Sequence, residues 1–309
     1  MKPILRIALF GAIILIQGCG GCIKKTGTAD SEPNSKGNSK IPVPNATNNS
    51  TVNDEKDLPG YWVGTFGYTA ADSAESADAG DDQEYNKINI AIDEINSTKV
   101  KGHTVIAGKV RFFNCEMQKN GGKYSFKFKG GADEKVDGVY KFGITAGDSL
   151  MKGTWMSDGD RAMNHEFSLA KRHFAYNADW KLQKSAYVDY SKSGTVKRKT
   201  DSGEVYNESR YATTSEDIEK INVSADLLKK DDVANLKKAD FLVIRNSIFA
   251  RHGYTFKKSL LSLYFSQQPW YVPISNDVTG DITPLEKKNL ALMARYEKNA
   301  EEYYNAYGR

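Results

Sequence analysis

Ile88, Ile90 and Ile92 alternate with Asn89, Ala91 and Asp93, and Tyr124, Phe126 and Phe128 alternate with Ser125, Lys127 and Lys129. A period of two sends successive side chains to opposite faces of a strand, so these stretches demand a sheet with one buried face. Val105 to Phe113, Val136 to Thr145, Leu150 to Met156 and His165 to Phe174 continue the series. Between them, Asn120-Gly121-Gly122, Ala146-Gly147-Asp148 and Ser157-Asp158-Gly159 supply residues that tolerate positive φ, as tight hairpins require. About eight antiparallel strands in so short a region predict a closed meander, because closure removes unpaired edges. From Ser224 the period becomes helical: Phe241, Ile244, Arg245, Ile248, Phe249 and His252 share one face of a helix. The fold class expected is therefore α+β in two domains, an antiparallel barrel followed by a small, mostly helical domain.

The 309 residues suffice for about two domains. Aromatic residues make up 11% of the chain and mean hydropathy is −0.57, the balance of a globular body. The formal charge of +4 falls to about +2 if Lys2 and Arg6 leave with a leader. No basic stripe interleaved with aromatics is present, so nucleic acid is not an expected partner.

Lys2 and Arg6 precede an apolar run from Ile7 to Ile16, too short to span a bilayer comfortably. Ile16-Gln17-Gly18-Cys19 resembles the bacterial lipobox, with Gln17 where a small residue is commoner. That resemblance implies an exported protein lipidated on Cys19 and held on the cell envelope, at the outer membrane if the cell has one. Residues 24–57 are rich in Ser, Thr, Asn, Pro, Gly and Lys and cannot bury enough surface to offset chain entropy. They read as a tether reaching roughly 30 Å as a random coil. The organisation expected is a signal peptide over 1–18, a tether over 19–57, a barrel over 58–178, a hairpin-rich connector over 179–222 and a helical domain over 223–309. Gly194 and Ser202-Gly203 are the turn candidates of the connector.

Gly60-Tyr61-Trp62 resembles the Gly-x-Trp start of calycin barrels. The resemblance implies that Trp62 plugs one barrel end and that Lys171 or Arg172 packs over it. Ala70 to Glu84 reads as a solvated loop. His103, His165 and His173 lack a short-spaced ligand pattern, so neither a metal nor a cofactor is expected. Cys115, remote from Cys19 and Cys22, reads as a buried free thiol.

In the helical region, Gly253 after His252 is suited to a left-handed C′ position that stops a helix. Thr283-Pro284-Leu285-Glu286 reads as N-cap, N1 proline and N3 glutamate, a capping box. Pro269 and Pro273 frame Trp270-Tyr271 in an extended segment. Arg245-Asn246, Ile248 to Tyr254, Phe256, Tyr264-Phe265, Trp270-Tyr271 and the Glu286 to Asn289 run together resemble the YARHG domain of bacterial extracytoplasmic proteins, with Phe249 in the usual tyrosine position. The resemblance implies an exported module whose molecular function is not characterised.

Two readings compete for its polar residues. Arg245, Asn246, His252, Gly253 and Glu286 can be structural staples, a buried arginine then requiring a partner such as Asp277, Asp281 or Glu286. Alternatively, arginine and histidine can receive an anion or move a proton. Arg251 with Trp270 and Tyr271 forms the candidate contact surface, the aromatic pair being suited to stacking on a sugar if exposed. The leading expectation is an envelope-anchored binding or interaction protein whose partner is a wall polymer, a glycan or another envelope protein. A ligand or lipid carrier using the barrel is the alternative. A cell-wall-modifying enzyme ranks last, since neither a Gly-x-Ser-x-Gly elbow, a catalytic Cys with His nor a zinc signature is present.

Overall fold

The computed structural model describes residues 51–68, 86–130, 138–158, 164–183, 186–257 and 259–303, all within the compact unit Asn45–Arg309. The expected leader, Cys19, Cys22, most of the tether and the Ala70 to Glu84 loop lie outside the described residues.

Eight strands form the first half: β1 (Gly60–Tyr68), β2 (Asn86–Asn96), β3 (Lys99–Ile106), β4 (Lys109–Asn120), β5 (Lys123–Lys129), β6 (Gly138–Thr145), β7 (Leu150–Ser157) and β8 (Asn164–Arg172). Each pairs antiparallel with its successor, and β8 pairs with β1 to close a barrel. The period-two apolar residues point inward. Trp62, Ile90, Phe113, Phe126, Phe128, Tyr140, Phe142, Trp155 and Phe167 belong to one buried cluster. Phe113 and Phe128 stack with centroids 3.9 Å apart, and Phe126 lies 4.9 Å from Phe142, so the barrel is filled by its own rings.

The run Val105 to Phe113 is not one strand. It turns at Ala107-Gly108, both at positive φ (47° and 80°), and splits between β3 and β4. Apolar pattern alone does not mark this turn, because Ala107 is an uncommon residue for left-handed backbone.

The barrel also recruits residues that composition assigns to the tether. Val52 and Leu58 are wholly buried, and the Val52 N–H donates to Asp148 O at 2.9 Å. A 3-10 turn at Glu55–Asp57, capped by Asp54, brings Leu58 O within 2.9 Å of the Trp62 indole N–H. Lys171, of the two candidates, lies 6.0 Å from the Trp62 ring centre, and its ammonium donates to Asp57 O. Cys115 is a free, half-buried thiol; burial pushes it up to about 11, opposed by the Lys127 N–H.

After the barrel, β9 (Val188–Lys199) and β10 (Val205–Thr213) make a two-stranded hairpin. Gly194 lies inside β9 rather than at a turn; the reversal falls near Gly203, at φ 87°. Four helices follow: α1 (Lys230–Val233), α2 (Lys238–Arg251), α3 (Ser259–Ser266) and α4 (Pro284–Tyr303). Their core gathers Phe241, Ile244, Ile248, Phe256, Phe265, Tyr271 and Met293. At the start of α2, buried Asp240 accepts the Lys237 N–H at 2.8 Å and both the N–H and hydroxyl of Ser215 at 2.6 and 3.0 Å. One carboxylate thereby caps the helix and fastens the preceding segment.

The two domains are keyed together on the outside of β2. Asn89 faces outward by its alternation with Ile88 and Ile90, yet it is wholly buried and donates to Pro273 O at 2.8 Å. Lys87 donates through its backbone to Ser266 Oγ at 3.0 Å, and through its ammonium to Gln268 O (2.8 Å) and Tyr271 O (3.0 Å). Gly108 N–H reaches Thr255 Oγ1 at 3.1 Å. The alternation in β2 thus describes a strand covered on both faces here, one by the barrel interior and the other by the helical domain.

Candidate functional site

The densest polar chemistry lies where α2 ends. His252 is its C-cap, at φ −84° and ψ 5°, and Gly253 follows at φ 78°. Gly253 N–H donates to Ala250 O and Tyr254 N–H to Phe249 O, both at 3.0 Å. This pair of bonds is a Schellman motif, which satisfies carbonyls that a helix end leaves open. Phe249 and Tyr254 meet edge-on at 6.1 Å, the apolar contact that accompanies such a stop. A Cβ at position 253 would come within 2.5 Å of Ile274 and 3.0 Å of Phe174, so sterics as well as φ require glycine.

Arg251 and His252, adjacent in sequence, leave the helix in different directions. The Arg251 side chain is wholly buried. Its Nε and Nη2 donate to Trp180 O at 2.9 and 2.5 Å, and Nη1 donates to Ser247 Oγ at 2.7 Å. The guanidinium carbon lies 5.7 Å from the Trp270 ring centre, and Trp270 stacks on Trp180 at 5.5 Å. Burial pushes Arg251 down to about 10, opposed by the nearby Glu286 carboxylate and by Tyr176. A cation held only by neutral acceptors at direct contact depends on that complete set of bonds.

His252 Nε2 lies 2.8 Å from Glu286 Oε2, and both side chains are buried. The same oxygen accepts the Thr283 N–H at 2.9 Å, while Thr283 Oγ1 accepts the Glu286 N–H at 3.2 Å. Glu286 therefore closes the capping box of α4 and binds the C-cap of α2 with one carboxylate. Its other oxygen accepts the Tyr176 hydroxyl at 3.1 Å, and the Tyr176 ring stacks on His252 at 4.3 Å and 13°. Burial alone would raise Glu286, but the bonds from His252 and the Thr283 N–H help hold it at about 2. It is ionised at neutral pH and only accepts, which places the His252 proton on Nε2. Tyr176 is pushed up to about 12 by burial and by Glu286.

Residues 218–298 match the YARHG domain. Searches of curated proteins and of solved structures find no match to this chain. In this YARHG domain the five-residue signature, here Phe249 to Gly253, is the terminal turn of α2 together with the residues that fasten it: an apolar clasp, a buried alanine, two inward polar side chains and a left-handed glycine.

The remaining expected residues are dispersed. Arg245 pairs with Glu297 on α4 at 2.7 Å, not with Asp277, Asp281 or Glu286. The side chain of Asp277 instead accepts the Thr279 N–H and hydroxyl within its own turn. Asn246 Nδ2 donates to Leu242 O at 2.7 Å, one turn back. Trp270 and Tyr271 are 6% and 2% exposed, so they do not form the expected stacking platform, and Arg251 is enclosed with them. Their polar tips are also engaged: the indole donates to Lys181 O at 2.9 Å and the phenol to Tyr254 O at 2.8 Å.

Tyr176, Trp180, Ser247 and Glu297 complete these networks and were not among the sequence candidates. Tyr176 and Trp180 precede the matched region by about 40 residues.

Proposed function

We propose that this chain is an extracytoplasmic binding or interaction protein, anchored to the bacterial cell envelope through a lipid on Cys19. The barrel serves as scaffold and carries the YARHG domain at a fixed orientation. The observation that supports this reading best is the inward engagement of the signature: Glu286 uses both oxygens, His252 is covered by Tyr176, and Arg251 is enclosed. A cluster committed to holding two helices together favours a binding role for the module over chemistry at that cluster. A wall polymer, a glycan or another envelope protein is the partner class. Among the described residues no helix is long and apolar enough to cross a membrane, and a lipid on Cys19 would supply the attachment.

The test is capture of envelope fractions by the purified full-length chain. Specific capture by the parent, together with an unchanged envelope substrate profile on incubation, supports the reading. Turnover of an envelope component by the parent, abolished in a folded His252→Gln variant, overturns it in favour of an enzyme.

One observation favours the carrier as a second reading. The Tyr140 hydroxyl is buried in the barrel cluster and has no hydrogen-bond partner among the described residues. The stacked rings around it argue the other way. Native mass spectrometry of the purified chain distinguishes the two, because a carrier retains a small molecule and a filled barrel does not.

A further inference from the structure

The outer face of the barrel carries a groove of about 540 Å³ across β4 to β7. Lys123 and Lys127 from β5, Lys141 from β6 and Lys152 from β7 line it, around Ser125 and Gly143. The strand register brings these residues together. Lys127 stands directly opposite Lys141, Gly143 stands between Ser125 and Lys152 on the neighbouring strands, and Lys123 is opposite Thr145. All four lysines are exposed, and none has an ion-pair partner among the described residues.

Three other lysines of the barrel exterior are paired. Lys101 is paired with Glu94 at 2.9 Å, Lys129 with Asp158 at 2.9 Å and Lys119 with Glu55 at 3.8 Å. Glu116 and Asp148 also border the groove, which leaves its lining two positive charges in excess (four lysines against two carboxylates). Like charges directly opposite on neighbouring strands oppose folding. An anion seated between Lys127 and Lys141 relieves that repulsion. The centre of the groove is low because Gly143 has no side chain, and a Cβ there would approach Tyr124 O to 2.7 Å. A ligand can therefore lie on the strand backbone with ammonium groups on both sides.

We propose that this groove binds a linear phosphate polymer. Lysine ammonium groups are compact point charges that meet phosphate oxygens from any direction, whereas planar carboxylates favour the arginine fork, and no arginine lines the groove. Phe126 and Phe142 are buried beneath it, so they offer no ring for stacking a sugar or a base. The site deepens the proposed binding function by giving it a location and a ligand chemistry, and it rests on that reading for the biological setting.

The test uses purified full-length chain and labelled inorganic polyphosphate, with binding read by fluorescence anisotropy from roughly 50 to 200 mM salt. The expected result is binding that weakens steeply with salt. Combining Lys127→Ser, Lys141→Ser and Lys152→Ser weakens it by about tenfold or more, with a melting temperature equal to or above the parent's. Combining Lys197→Ser and Lys199→Ser, exposed on β9 outside the groove, leaves binding within about twofold. The proposal is overturned by lack of binding, by equal losses in the two variants, or by tighter binding to polygalacturonate or phosphatidylglycerol vesicles at matched charge. Envelope capture separates the two levels: parent-level capture by the triple-lysine variant overturns the groove alone. Polyphosphate binding by a parent that captures no envelope component supports the groove while removing its proposed setting.

Discussion

Glu286, in the first turn of α4, ties that helix to the end of α2. It caps α4, receives His252 and receives Tyr176. Glu286→Ala removes all three bonds and leaves His252 buried without its acceptor. The expected loss is about 3 to 5 kcal/mol, read from urea denaturation. The carboxyl also sets a pH dependence. Its folded value of about 2 lies below its ordinary value of 4.5, so its contribution is full above about 4.5 and is lost as pH falls through about 2. Urea midpoints between those limits should fall with acid in the parent and fall less steeply in Glu286→Gln. The capping role was legible in Thr283-Pro284-Leu285-Glu286, because a capping box is local in sequence. The choice of His252 as the second partner was not, since it joins residues 34 positions apart. The pairing of Arg245 with Glu297 was missed for the same reason: charge sign narrows the candidates, and only packing selects among them.

At the scale of elements, the stop of α2 is the feature that sequence and structure describe most alike. Glycine at C′ has a local steric cause, and the structure adds a second one in Ile274 and Phe174. Gly253→Ala therefore combines an unfavourable left-handed alanine with a clash, for an expected cost of about 3 kcal/mol or more. A drop in melting temperature with retained far-ultraviolet helix signal measures it; an unchanged melting temperature argues against the strain. Strand identity was legible wherever alternation was uninterrupted, as in Tyr124 to Phe128. Turn positions were less so, because Ala107-Gly108 hides in an apolar run and Gly194 is accommodated inside a strand. Trp270 and Tyr271 looked extended and available between their prolines. Their burial comes from α2, α3 and the Trp180 segment folding over them, which no local pattern encodes.

For the molecule as a whole, polar bonds join the barrel to the helical domain. Lys87 is held there by two carbonyls and lies 5.6 Å from the Tyr271 ring centre. Burial, with some help from Arg172, pushes Lys87 down to about 7 from an ordinary 10.5. The unfolded chain binds the extra proton between these values, so stability should rise with pH from about 7 towards 10.5. Lys87→Met keeps the stem and removes the charge, and should flatten that rise in thermal melts across the window. A parallel rise in the variant would assign the effect to other groups. The lysine groove was equally hidden from sequence, since its four cations come from three strands and meet only through register. Net charge near neutrality conceals such local excess.

The YARHG signature in this chain fastens a helix end. A double-mutant cycle on His252→Ala and Glu286→Ala, by equilibrium urea unfolding at neutral pH, tests it most directly. The expected result is two destabilised single variants with a coupling on the order of 1 to 3 kcal/mol. Single variants as stable as the parent, with no coupling and with lost envelope capture, would contradict it and make the pair a functional site.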